Sequence, residues 1–201
     1  MLRCRNLLSF AAERKLEKEK RGMILHICCA PCGGGCVERV KEQGKKAVLF
    51  YSNSNLNSRE EFERRLASVK ALAEAQQIEL VVDPYDHESW LKAVSGFENE
   101  PEQGERCRRC FHFSLSRTAE FAGEKEFCTT LTVSPRKRSK VIFEVGSEWE
   151  HFVPEDFKKR DGYRRSCEIA RQSGFYRQNY CGCEFSLRDS GGNNENNLSG
   201  Q

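Results

Sequence analysis

The sequence predicts an α/β domain with a mainly parallel sheet, and three observations carry that prediction. Short apolar runs alternate with longer stretches of helical periodicity, the order a chain of βαβ units produces. Glycine, proline or a polar cluster closes most of the apolar runs, which bounds them as strands rather than helices. The 201 residues are 38% hydrophobic and 31% charged, and a chain of that length can bury roughly 70% of its unfolded surface in a core without covalent staples.

The elements follow in order. Residues 1–22 read as a charged extension ahead of one α/β domain at 23–187. "ILHIC" (24–28) is a short strand running straight into "CAPCGGG", and residues 33–43 have the pattern of a helix. "AVLFY" (47–51) is a second strand. In "NSNLNS", Ser58 caps the next helix and Glu61, three residues on, completes a capping box. That helix extends to Gln77 with Phe62, Leu66, Val69, Leu72 and Ala73 on one face. Residues 78–82 form a third strand that Pro84 ends, and a helix follows near 88–94. From Arg106 a helix carries "CRRCFHFSLSRTAEFA" to Gly123. "EFCTTLTV" is a fourth strand that Pro135 breaks, and helices are predicted near 137–145, 155–159 and 163–173. Residues 188–201 are small and polar, the composition of a disordered tail.

No apolar run reaches the ~20 residues that cross a bilayer. The N-terminus turns charged before any signal-like apolar stretch, so a cytoplasmic protein with no membrane partner is expected. In a reducing compartment, eleven cysteines point to metal ligation or redox work rather than to stapling. The formal net charge of +3 is mild. "SPRKRSK" and "DFKKRDGYRR" nonetheless concentrate basic residues, as a polyanionic partner would require.

Cys28 and Cys29 would face opposite ways on an extended strand. Pro31 marks the strand's end, and a curling backbone there aims both thiols at one centre. Cys107 and Cys110 lie one turn apart at the start of a helix, where thiolates gain from the helix dipole. The four make a tetrathiolate set that suits zinc or an iron–sulfur cluster, and the adjacent Cys-Cys pair matches zinc knuckles less well. Cys32 or Cys36 could replace one of the first pair, although Cys36 reads better as packing. Cys4, Cys128 and Cys167 read as small apolar fillers. "CCAPCGGG" stands where a phosphate-cradling loop would, without the Gly-Lys-Ser/Thr ending of a P-loop. Its glycines read instead as room for a bulky cofactor. In Cys181-Gly182-Cys183 a disulfide would be strained and easily reduced. A redox couple and a pair of further metal ligands both stay open.

Seven segments, "LHICCAPC", "SREEFERRL", "YDHESWL", "GERCRRCF", "FCTTLTVSPRKRS", "FKKRDGYRRSCEIA" and "YRQNYCGCEFS", together resemble the epoxyqueuosine reductases of the QueH type, over about residues 24–187. The resemblance implies a three-layer sandwich similar to the adenine nucleotide alpha-hydrolase fold, with the ATP chemistry lost. It implies reduction of epoxyqueuosine to queuosine in tRNA, the last step of queuosine synthesis. It also implies a [4Fe–4S] cluster on Cys28, Cys29, Cys107 and Cys110, and a redox-active pair at Cys181 and Cys183. A second, mononuclear iron belongs to the same expectation, with Asp86 as its ligand or as a proton donor, or else as the cap of the helix that starts near Glu88. His26, His112 and Tyr180 are the other proton-donor candidates.

The implied partner is tRNA carrying epoxyqueuosine in its anticodon loop, served by an unidentified electron donor. Arg136, Lys137, Arg138, Lys158, Lys159, Arg164 and Arg165 are the expected phosphate contacts. Tyr163, Phe175 and Tyr176 are candidates for base stacking. Ser114, Cys128 and Arg136 depart from the family pattern, where arginine, threonine and tyrosine are expected. The departures bear on substrate contacts and leave the six cysteines intact. Two rival expectations remain: a zinc-binding tRNA-interaction module without turnover, and an adenine-nucleotide-dependent tRNA thiolation enzyme.

Overall fold

Four parallel strands in the order β3-β2-β1-β4 form the sheet of the computed structural model, which describes residues 22–189. In chain order the elements are β1 (Gly22–His26), α1 (Ala30–Glu42), β2 (Lys46–Tyr51), α2 (Arg59–Gln76), β3 (Leu80–Val82), α3 (His87–Val94), α4 (Glu105–Ala122), β4 (Phe127–Thr129), α5 (Ser139–Gly146), α6 (Gly162–Gln172) and α7 (Glu184–Asp189). The charged extension, and the polar tail beyond Asp189, lie outside the described residues. Among those described, no helix is long and apolar enough to cross a membrane.

Side chains alternate across the sheet and so define three layers. Met23, Leu25 and Ile27 pack with Val37 and Val40 of α1 and Phe62, Leu66, Val69 and Leu72 of α2. Ile24 and Phe50 face the opposite way, onto Phe111 and Leu115 of α4 and Ile142 and Val145 of α5. Trp90 and Val94 of α3 form a smaller cluster with Cys183. The parallel α/β sheet is therefore what the pattern predicted, and the three layers are what the family resemblance implied.

Most local signals held. Ser58 Oγ accepts from Glu61 N at 3.2 Å and caps α2, and all five residues of its predicted face are buried. The reciprocal half of the capping box is not made by Glu61, whose carboxylate turns inward to Arg65 at 2.7 Å. The fourth strand is shorter than predicted. Thr129 Oγ1 accepts from Leu131 N at 3.1 Å, which turns residues 130–133 into a 3-10 helix. Residues 155–159 are not helical either. Thr132 Oγ1 donates to the Glu155 carbonyl at 2.9 Å and accepts from Phe157 N at 3.3 Å, so this segment docks on the 3-10 helix instead.

The glycine triplet has a packing role that its sequence did not disclose. A Cβ on Gly34 would lie 2.7 Å from Ile169 Cγ2, and one on Gly35 2.6 Å from Ser166 Oγ. A Cβ on Gly33 would strike Ile27. The glycines let α6 and β1 close on α1, and helix–helix approach accounts for them without a cofactor.

Candidate metal and redox site

The site's floor is a polar network drawn from the carboxyl ends of all four strands. His26 ends β1, Thr129 ends β4, and Ser52 and Asp83 directly follow β2 and β3. His26 Nε2 donates to the Ser52 carbonyl at 3.0 Å, so Nδ1 is the acceptor for the Thr129 hydroxyl at 2.8 Å. Ser52 Oγ donates to Asp83 at 2.7 Å, and Arg117 Nη2 donates to the same carboxylate at 2.6 Å. Burial lowers the His26 pKa to about 4. This histidine is a neutral, fully bonded core residue and has no proton to spare.

Above the floor lies a cavity of about 440 Å³. Cys28, Cys29 and Cys32 form one wall, with Sγ atoms all within 4.8 Å of one another; no other such thiol, imidazole or carboxylate group occurs among the described residues. The local chain explains this wall. β1 stops at His26, Cys29 is the N-cap of α1, and Pro31 starts the first turn that carries Cys32. Cys28 and Cys29 thus escape the strand's alternation, and their sulfurs stand 3.9 Å apart. Hydrogen bonds from Cys28 and Cys32 hold the Cys29 thiol well below its usual pKa, helped by Gln178 Nε2 at 3.4 Å and by Arg65. The same bond pushes Cys28 up to about 12, and Cys32 is raised too. One thiolate is favoured among three sulfurs.

The facing wall brings Cys110 and Cys181 into the same cavity. A small adjoining cavity adds Cys107 and Cys183 beside Trp90 and Arg106. Cys107 and Cys110 sit one turn apart in the first turns of α4, as predicted. Burial raises Cys107 and Cys110 and pushes Cys183 up to about 12. Both cysteines of the Cys181-Gly182-Cys183 turn are free thiols.

That turn is fixed by its backbone. Ser186 Oγ accepts from Cys181 N at 3.0 Å, Arg65 donates to the Cys181 carbonyl at 3.1 Å, and Asn57 N donates to the Gly182 carbonyl at 2.9 Å. Gly182 has φ +137°, and a Cβ there would strike Leu56 and crowd Arg65. Only glycine fits. Arg65 is 2% exposed and lines the cavity; its Nε is paired with Glu61, and its Nη2 has no partner.

Asp86 is engaged elsewhere. It is the N-cap of α3, accepting from Ser89 N at 3.1 Å, and it lines neither cavity. His112 is exposed and bonds Glu148 at 3.0 Å. Tyr180 does line the cavity, and its hydroxyl donates to Asn57 at 2.8 Å.

The seven basic residues separate into four groups. Arg136 and Lys137 line the cavity. Lys158 is structural, its ammonium bonded to Lys137 O at 2.8 Å and Ser139 Oγ at 2.7 Å. Arg165 is bidentate with Glu38 at 2.8 Å and Arg164 pairs with Asp161 at 3.3 Å, whereas Arg138 and Lys159 stay exposed. Cys167 was read as filler, yet it lines the cavity beside Tyr163. Its helix packs against α1, and nothing in the local spacing could announce that. Arg65 and Glu61 did carry a signal, since both fall on the otherwise apolar face of α2.

A model of the family described as "Epoxyqueuosine reductase QueH" matches residues 23–189. Relatives bearing that name are 33% identical in Streptococcus pyogenes (87% of this chain, 74% of the relative) and 34% identical in Acinetobacter baylyi (88% and 85%). The relative in Thermotoga maritima is 34% identical, with 82% of this chain and 90% of the relative covered. The match spans both cysteine walls, the Arg65 pair and the basic loop, and with it the chain belongs to the epoxyqueuosine reductase QueH family.

Proposed function

We propose that the protein reduces epoxyqueuosine to queuosine in tRNA, with a [4Fe–4S] cluster on Cys28, Cys29, Cys107 and Cys110 and a redox pair at Cys181 and Cys183. One observation supports this above the rest: six thiols from three separate segments converge on two adjoining cavities, and Cys181 borders both. The donor set fits the cluster. Four thiols would hold it: Cys28 and Cys29, the latter the N-cap of α1, and Cys107 and Cys110 in the first two turns of α4. Once bound, the cluster would supply one-electron transfer and a Lewis-acidic iron.

The chain's own residues do the rest. Oxidation of the two thiols of Cys181 and Cys183 to a disulfide releases two electrons and two protons. Conversion of an epoxide to an alkene and water consumes the same number, so one dithiol balances one turnover. The pinned Cys181 turn holds this pair at the cavities, and Gly182 lets the turn close on Leu56 and Arg65. Arg136 and Arg138 meet tRNA phosphates, and exposed Tyr163 offers a face to an unstacked base. An external reductant restores the dithiol. Asp86 caps α3 through Oδ1 and lines neither cavity, so this scheme assigns it no step.

The test is direct. Protein reconstituted anaerobically with iron and sulfide is given epoxyqueuosine-tRNA and reductant, and nucleosides are analysed by mass spectrometry. Queuosine is the expected product. A site that takes only zinc under those conditions, or an intact cluster that gives no queuosine, would refute the reading.

A further inference from the structure

Lys137 is unlike the other basic residues of the chain. It lines both cavities, between the Cys28/Cys29/Cys32 wall and the Cys107/Cys110/Cys181/Cys183 wall. Its ammonium makes no hydrogen bond and no ion pair among the described residues. Adjacent Lys158 has three acceptors, and Arg165 is held by two carboxylates.

Its backbone is nevertheless fixed. Lys137 N donates to Ser134 O at 3.2 Å, and the Lys137 carbonyl accepts from Lys158 Nζ at 2.8 Å. A cation is thus carried on a pinned turn into a space enclosed by thiols, with nothing to bond there. An exposed lysine meeting a phosphate needs no such support. Arg136, its neighbour, lines the same cavities but is exposed, and its Nη1 donates to the Asn179 carbonyl at 3.3 Å.

We propose that Lys137 is a catalytic residue whose ammonium donates a hydrogen bond to the substrate's epoxide oxygen and stabilises the negative charge that grows there as the C–O bond breaks. The proposal rests on the reductase reading above and assigns this residue a task other than phosphate binding. The oxygen leaves as water, the two protons and two electrons coming from the dithiol. A positioned donor at a developing oxyanion acts in the transition state more than in the ground state.

The experiment compares wild type, Lys137→Met, Lys137→Arg and Arg136→Ala as full chains. Each is measured for tRNA affinity against salt, iron content, midpoint potential of the visible chromophore, and single-turnover rate at saturating epoxyqueuosine-tRNA. For Lys137→Met we expect wild-type affinity, salt slope, iron content and potential, with the rate down about 100-fold. Lys137→Arg recovers part of the rate. Arg136→Ala should instead weaken tRNA binding, with a salt slope smaller by about one.

A shallower salt slope in Lys137→Met with its saturated rate intact would make Lys137 a phosphate contact and overturn the proposal. Loss of iron, or a shifted potential, would make it a partner of the thiols and overturn it equally. An unchanged rate would do the same. Failure of wild type to form queuosine, by contrast, strikes the reductase reading itself.

Discussion

The two cysteine walls of the cavity are built by different means. Cys28, Cys29 and Cys32 are gathered by five consecutive residues at one strand-to-helix turn, and their sulfurs come within reach of a single ion. Cys107 and Cys110 arrive on α4, and Cys181 and Cys183 on a turn more than seventy residues later in the chain. That second wall is assembled by backbone bonds to Arg65, Asn57 and Ser186. The first wall is local and favours thiolate. The second is tertiary, and burial raises the Cys107, Cys110 and Cys183 thiols in it. Ligation suits the one, and on the proposed reading a two-electron dithiol suits part of the other.

The sharpest way to break this comparison is Cys29→Ser. Because Cys29 carries the favoured thiolate, its loss should release iron and cut queuosine formation by at least about 100-fold, more than removal of a residue that merely supports a ligand. Iron analysis and nucleoside mass spectrometry check both halves. Cys181→Ser should separate the walls: iron content stays near wild type while turnover with a thiol reductant stops. Iron lost along with turnover would move Cys181 into the ligand set.

The tertiary dependence of the second wall can be tested without touching a cysteine. Arg65→Met removes the buried guanidinium from Glu61 and leaves it only the Tyr176 hydroxyl at 3.1 Å and half-exposed Arg64 at 4.0 Å, so urea unfolding should show a loss of about 3–5 kcal/mol. A smaller effect of about 1–3 kcal/mol is expected for Gly34→Val, whose added methyls meet Ile169 across the α1–α6 contact. The smallest effect belongs to Arg165→Ala. Its exposed pair with Glu38 should leave stability and tRNA affinity nearly unchanged, measured beside Arg138→Ala, which should weaken tRNA binding.

The sequence alone determined a good deal of this molecule. Alternating apolar runs and helical periods gave the parallel α/β sheet, because burial of one face per element is a local property of residue order. Ser58 and the α2 stripe were legible for the same reason. So was the C-x-x-C turn of α4, since a helix start acts on its immediate neighbours; β1 stops at His26, and Pro31 sits in the first turn of α1 rather than at the strand's end. The seven motifs carried the family.

Other features were decided only by the tertiary structure. The glycine triplet is explained by α6, a helix that begins some 130 residues beyond it. Asp86 resolved into a cap because its loop points it at Ser89 rather than into the cavity. Thr129 ended its strand early by bonding its own backbone and His26 at once. Cys167, Arg65 and Lys137 became residues of the site when distant elements closed around them. Spacing in sequence records what the backbone can do within a turn or two. Which charged group is left without a partner depends on every segment packed against it, and that is settled only when the chain has folded.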